Sequence, residues 1–200
     1  MNFIQHINDS IEYANSGVTK LNSKAINMEG MSSIKVRNFL NKLVSYPDVS
    51  YLEIGVWKGS TFYSALYGNK PKCALAIDNF SQFDGSELAF NENMSDINTE
   101  FSFINASSFE NKVESEQKFN VYFYDGNHSF DGQKKALTYY HDILTDEYIY
   151  ICDDWGWEEV RGGTMAGVKE KQLEILQEWR LTANDGWWNG LWVAVLRKTI

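Results

Sequence analysis

Apolar positions recur at helical spacing twice before any strand pattern begins. In FIQHINDSIEYA, Ile4, Ile7 and Ile11 share one helical face, and the segment ends near Gly17. In SSIKVRNFLNKLV, Val36, Phe39, Leu40, Leu43 and Val44 do the same behind serines suited to N-capping. Two leading helices are predicted. YLEIGVW then reads as a first strand, STFYSALYG as a helix and KCALAIDNF as a second strand. EFSFINAS and FNVYFYDG read as further strands, FDGQKKALTYYHDIL as a helix, and EYIYICDDW as an apolar strand that ends in acids. VKEKQLEILQEW is amphipathic through Leu173, Leu176 and Trp179 and predicts another helix. WRLTANDGWWNGLWVAVLRK has two strand-like halves around a turn, a closing hairpin.

Strands that alternate with helices predict an α/β fold: a doubly wound, mostly parallel sheet with helices on both faces. Repeats and long linkers are absent, and only Pro47 and Pro71 interrupt the chain. One domain over 1–200 is expected, with helices in 1–48 and the sheet core in 49–200.

Charge narrows the partners. The 18 basic and 27 acidic residues leave a net charge of -9, which disfavours nucleic acid. No apolar run approaches a membrane span and the start carries no basic-then-apolar leader, so a cytoplasmic protein without a membrane partner is expected. Cys73 and Cys152 lie far apart in strand-like runs and are expected as buried free thiols. His6 and His141 sit on polar helical stretches and are expected at the surface.

Ligands of such sheets gather at the carboxyl ends of the strands, where the strand order reverses. The chemistry-bearing residues end strands here: Glu53, Gly55 and Gly59 after the first, Asp78 after the second, Asp125 to His128 after the fourth, Asp153 and Asp154 after the fifth. Singly, each has an ordinary reading as a turn former. Jointly they mark one edge. A dinucleotide fingerprint requires a middle glycine where Trp57 stands, and places its acid on the second strand. Asp125, Asp153 and Asp154 end strands joined by one helix, so three carboxylates should meet and repel unless a cation joins them. A hard divalent ion such as Mg²⁺ takes oxygen ligands and leaves positions for a substrate.

The E-x-G-x-x-x-G arrangement of Glu53, Gly55 and Gly59 resembles the first motif of class I S-adenosylmethionine-dependent methyltransferases. That resemblance implies a Rossmann-like, seven-stranded sheet with a closing antiparallel hairpin and two leading helices. It implies that the turn and Glu53 hold the methionine half of S-adenosylmethionine, that Asp78 binds the ribose hydroxyls, and that Ser107 in INASSF stands at the adenine. DGNHSF, followed by YIYICDDW and NGLWVAVLRK, resembles the metal-dependent small-molecule O-methyltransferases, above all the macrocin O-methyltransferase-like sugar group, over roughly residues 30 to 198. Asp125, Asp153 and Asp154 are the metal ligands so implied, and the acceptor is a small-molecule hydroxyl on a sugar or vicinal diol. Asp125 and His128 are the catalytic candidates. His128 stands where catechol-type relatives keep a lysine, and is read as general base or as a support for the acids.

The chain departs from the group in ILTDEYIY, where a Pro-Gly-Gly turn is usual, and it is shorter, so oligomer-forming additions are expected to be reduced while a homo-oligomer stays open. Trp155, Trp157, Trp187 and Trp188 lie near the expected mouth, as acceptor faces or as core. GWEEVRGGTMAG, with Gly162, Gly163 and Gly167, is read as a mobile cover. Two other classes remain: a metal enzyme akin to the cephalosporin hydroxylase group, and a non-catalytic S-adenosylmethionine-binding module.

Overall fold

The computed structural model describes residues 2–110, 113 and 116–199. Three helices lead: α1 (Phe3–Asn15), the short α2 (Ser23–Asn27) and α3 (Ile34–Val44). Then come β1 (Ser50–Ile54), α4 (Ser60–Leu66), β2 (Cys73–Asp78), α5 (Glu87–Met94) and β3 (Ser102–Asn105). The second half holds β4 (Phe119–Tyr124), α6 (Phe130–Tyr139), β5 (Leu144–Cys152), α7 (Glu158–Glu170), β6 (Glu174–Leu181) and β7 (Leu191–Arg197). Asparagine or serine side chains cap α1, α2, α3, α5 and α6, each accepting a backbone N–H of the first turn.

The seven strands form one sheet in the order β3-β2-β1-β4-β5-β7-β6. The fold is the expected Rossmann-like mixed sheet, with β7 antiparallel to both β5 and β6. Register explains the site. Ile54 lies opposite both Ile77 and Tyr124, and Tyr124 opposite Cys152. The residues that follow, Gly55, Asp78, Asp125 and Asp153, therefore stand in one row along the carboxyl edge. The strand order reverses between β1 and β4 within that row.

Alternation along the strands feeds two cores. Tyr51, Val121, Phe123, Ile149, Ile151 and Val193 face α1 to α5, whereas Leu52, Ile54, Tyr122, Tyr124, Tyr150 and Trp192 face α6 and α7. Trp187 and Trp155 belong to these cores, and Trp157 and Trp188 are exposed.

Five expectations need correction. The predicted amphipathic helix over VKEKQLEILQEW is the end of α7 followed by β6. Gln172 adopts φ +51 and breaks the helix, and a bulge between Ile175 and Gln177 adds a residue to β6. Leu176 and Trp179 pack on one core and Leu173 and Ile175 on the other, so the helix-like spacing of Leu173, Leu176 and Trp179 joins residues from opposite sides of the sheet.

The glycine-rich segment read as a cover is α7 itself, packed on α6. A Cβ on Gly163 would lie 2.2 Å from the Phe130 carbonyl oxygen, and one on Gly167 would lie 2.9 Å from that of Lys134. These glycines let two helices touch. His6, expected at the surface, is buried between α1 and α3, with Nε2 bonded to the Leu43 carbonyl at 2.7 Å. His141, also expected at the surface, is half-buried against the chain, and Cys73, expected buried, is only half-buried, while Cys152 is fully buried as expected.

Candidate active site

The β1–α4 turn is shaped by two left-handed glycines, Gly55 and Gly59, each at φ +88. A Cβ on Gly55 would sit 2.0 Å from the Asp125 carbonyl oxygen, so only glycine lets the ends of β1 and β4 close on each other. Gly59 caps α4 against the Phe90 ring. Beside this turn opens a cavity of about 300 Å³, lined by Gly55, Trp57, Asp78, Ser107, Asp125 and His128 among others. The row of strand ends thus becomes one wall of a ligand-sized space.

Asp78 accepts two backbone N–H bonds at 2.7 Å, from Trp57 to Oδ2 and from Phe80 to Oδ1. It ties the glycine turn to the end of β2 and still presents free lone pairs to the cavity. Ser107 follows β3 on the same wall. Glu53 stands one layer behind. Alternation places it on the face of Tyr51, where it is fully buried and accepts the hydroxyls of Tyr51 and Thr61 at 2.5 Å. Burial pushes its carboxyl up to about 8.

At the other end of the cavity, His128 Nε2 lies 2.8 Å from Asp154 Oδ2 and 3.4 Å from Asp125 Oδ1. Burial opposes a charge on this ring, but the bonds and charges of Asp125 and Asp154 lift His128 to about 10. Burial pushes Asp125 up to about 6 against the pull of His128. Burial, followed by the charges of Asp125 and Asp154, holds Asp153 well above the usual carboxylate range. Oδ1 of Asp153 is buried without a hydrogen-bond partner. An orphaned carboxylate oxygen beside two further acids is the donor set of a hard cation. One ligand atom each from Asp125, His128 and Asp154 already lies within 4.8 Å of the others. The His128 ring bridges the carboxylates of Asp125 and Asp154.

The structure therefore brings Gly55, Asp78, Ser107, Asp125 and His128 to one cavity, and joins Asp154 to it through His128. Glu53, Gly59 and Asp153 support the wall from behind. Two features lie beyond sequence reasoning. Asp154 takes φ +55, and Asn189 in the β6–β7 loop donates to its Oδ1 at 2.6 Å. Gly156 and Trp155 bond the same loop through Asn189 O and Gly190 O, each at 3.0 Å. Only the fold brings these two loops together.

A strand-end glycine turn, a paired acid on the neighbouring strand and a cavity at the switch in strand order define a nucleotide-type ligand site on a doubly wound sheet. The family described as "Methyltransferase domain" matches residues 52–155, just over half of the chain, and the chain belongs to it. Solved structures agree on the fold. An O-methyltransferase from Bacillus cereus in complex with SAH is 12% identical with a TM-score of 0.64, covering 98% of this chain and 100% of its own. The O-methyltransferase TomG from Streptomyces achromogenes, involved in tomaymycin synthesis and solved with SAM, is 11% identical with a TM-score of 0.62, covering 98% and 99%. A Corynebacterium glutamicum protein is 11% identical with a TM-score of 0.66, covering 96% and 97%. No curated protein matches the sequence. Among the described residues, no helix is long and apolar enough to cross a membrane.

Proposed function

We propose that the protein transfers the methyl group of S-adenosylmethionine to a hydroxyl of a small molecule, a sugar or vicinal diol, with the help of a divalent metal. The convergence of Asp125, His128 and Asp154 beside a cavity that also holds Gly55 and Asp78, with the orphaned oxygen of Asp153 behind them, supports this reading. Gly55 and the turn seat the methionine half, Asp78 accepts the ribose hydroxyls, and Ser107 stands at the adenine. Glu53 acts from below by fixing Thr61 and with it the start of α4.

The sulfonium makes the methyl electrophilic, and a divalent cation would hold two neighbouring hydroxyls and lower the pKa of one. Asp125, Asp153 and Asp154 would hold that cation, and the orphaned oxygen of Asp153 supports the fit. The protein must align the acceptor oxygen and take its proton. His128, once its carboxylates are engaged elsewhere, returns towards neutral imidazole and can accept that proton. Trp157, 49% exposed with its ring 5.2 Å from that of His128, offers a face to a sugar or aromatic ring.

A panel of sugars and vicinal diols incubated with methyl-labelled S-adenosylmethionine, with and without a chelator, tests the reading. Label should pass to a diol and stop on chelation. Transfer that survives thorough chelation would remove the metal and assign deprotonation to His128 alone.

A further inference from the structure

Asp154 is held by both of its oxygens. His128 Nε2 lies 2.8 Å from Oδ2, and the Asn189 side-chain amide donates to Oδ1 at 2.6 Å. Asp154 is 6% exposed, so a charge on its carboxylate depends on such partners. Partners on different oxygens fix the plane of the group, and each oxygen keeps a lone pair for a further partner.

The two partners come from distant parts of the chain. His128 follows β4, whereas Asn189 sits at the surface in the β6–β7 loop. A surface amide ordinarily turns to water, but the backbone here is fixed against the end of β5. Trp155 and Gly156 donate their N–H groups to Gly190 O and Asn189 O, each at 3.0 Å, and Gly190 N–H bonds Trp187 O at 2.8 Å. A Cβ on Gly156 would lie 2.8 Å from Asn189 O, so glycine lets the two loops meet. The far end of the loop is pinned to α3. Ser33 Oγ donates to Gly186 O at 2.8 Å, Lys35 Nζ donates to Asp185 O at 2.5 Å, and the same ammonium stands 5.4 Å over the Trp187 ring.

A loop anchored at both ends thus delivers one amide onto one oxygen of one acid. We propose that Asn189 positions Asp154 for the divalent cation, an inference that rests on the metal reading above. By holding Oδ1 it keeps Oδ2 on the side of His128 and Asp125, where one ligand atom from each of the three residues lies within 4.8 Å of the others. Asn189 acts through Asp154 and needs no contact of its own with the ion.

Mn²⁺ titrations followed by electron paramagnetic resonance test it, with thermal melts in chelator alongside. Asn189→Ala should weaken Mn²⁺ binding about tenfold or more, the scale of losing an outer partner of a metal ligand. Asn189→Ser, too short to reach Oδ1, should weaken it alike and decides the matter if Asn189→Ala fails to fold. Lys35→Met frees the far end of the same loop from α3 and shares no partner with Asp154. It should lower the melting temperature and keep Mn²⁺ affinity within about twofold of wild type. Wild-type affinity in the Asn189 variants overturns the inference. Equal losses in the Asn189 and Lys35 variants overturn it too, because they reduce Asn189 to loop packing. A folded wild type that binds no Mn²⁺ overturns the metal reading and the inference with it.

Discussion

Glu53 and Asp78 sit one behind and one on the wall of the same cavity, and their surroundings ask different things of them. The folded-state pKa of Glu53, about 8, lies above its ordinary value because burial penalises the charge. Its contribution to stability is whole below the unfolded pKa near 4.5 and is lost as pH rises towards 8. Glu53→Gln keeps the shape and removes the charge. Urea melts across pH should show the variant gaining on the wild type between pH 5 and 8, reaching on the order of 3 kcal/mol at alkaline pH. Parallel curves would mean that the Glu53 charge is tolerated. Asp78 already binds two backbone N–H groups, so Asp78→Ala removes both a turn anchor and the proposed ribose acceptor. S-adenosylhomocysteine affinity should fall about tenfold or more by calorimetry. Unchanged affinity in a folded variant would leave Asp78 as a turn anchor only.

Between elements, closeness is set by glycine. Gly163 and Gly162 are neighbours on α7 but face different things: backbone for Gly163, the edge of the Phe130 ring for Gly162. Gly163→Ala must push α6 and α7 apart and should cost about 1–3 kcal/mol. Gly162→Ala asks only a partly exposed ring to yield and gains helix propensity, so its melting temperature should stay near wild type or rise. Equal melting temperatures for the two variants would contradict the packing. The same contrast shows what a sequence can disclose. Strand ends were legible because Gly55, Asp78, Asp125 and Asp153 each follow an apolar run, and parallel pairing lines them up. The α7–β6 boundary was hidden because a bulge disguised the strand period, and GWEEVRGGTMAG looked loose because its glycines serve contacts with a distant helix. Asn189 gave no signal, because it acts through two loops far apart in sequence.

Across the whole molecule the net charge of -9 already disfavours more negative potential, and the site concentrates three acids at one sheet edge. Asp153 has a buried oxygen that lacks a partner and a pKa raised by burial and then by its two acidic neighbours. Because its folded-state pKa is raised, the stability lost to its ionisation grows as pH rises above the ordinary carboxylate range. An arrangement kept at such a cost is expected where function outweighs stability. Asp153→Asn relieves the repulsion and removes a ligand from the proposed cation site. In chelator, the variant should melt above the wild type, by on the order of 1–2 kcal/mol in stability at pH 8. Added Mg²⁺ or Mn²⁺ should raise the melting temperature of the wild type through binding to the folded state, and should leave the variant almost unmoved. A wild type indifferent to both ions would show that His128 alone balances these acids. A metal shift of equal size in both proteins would place the ion away from Asp153.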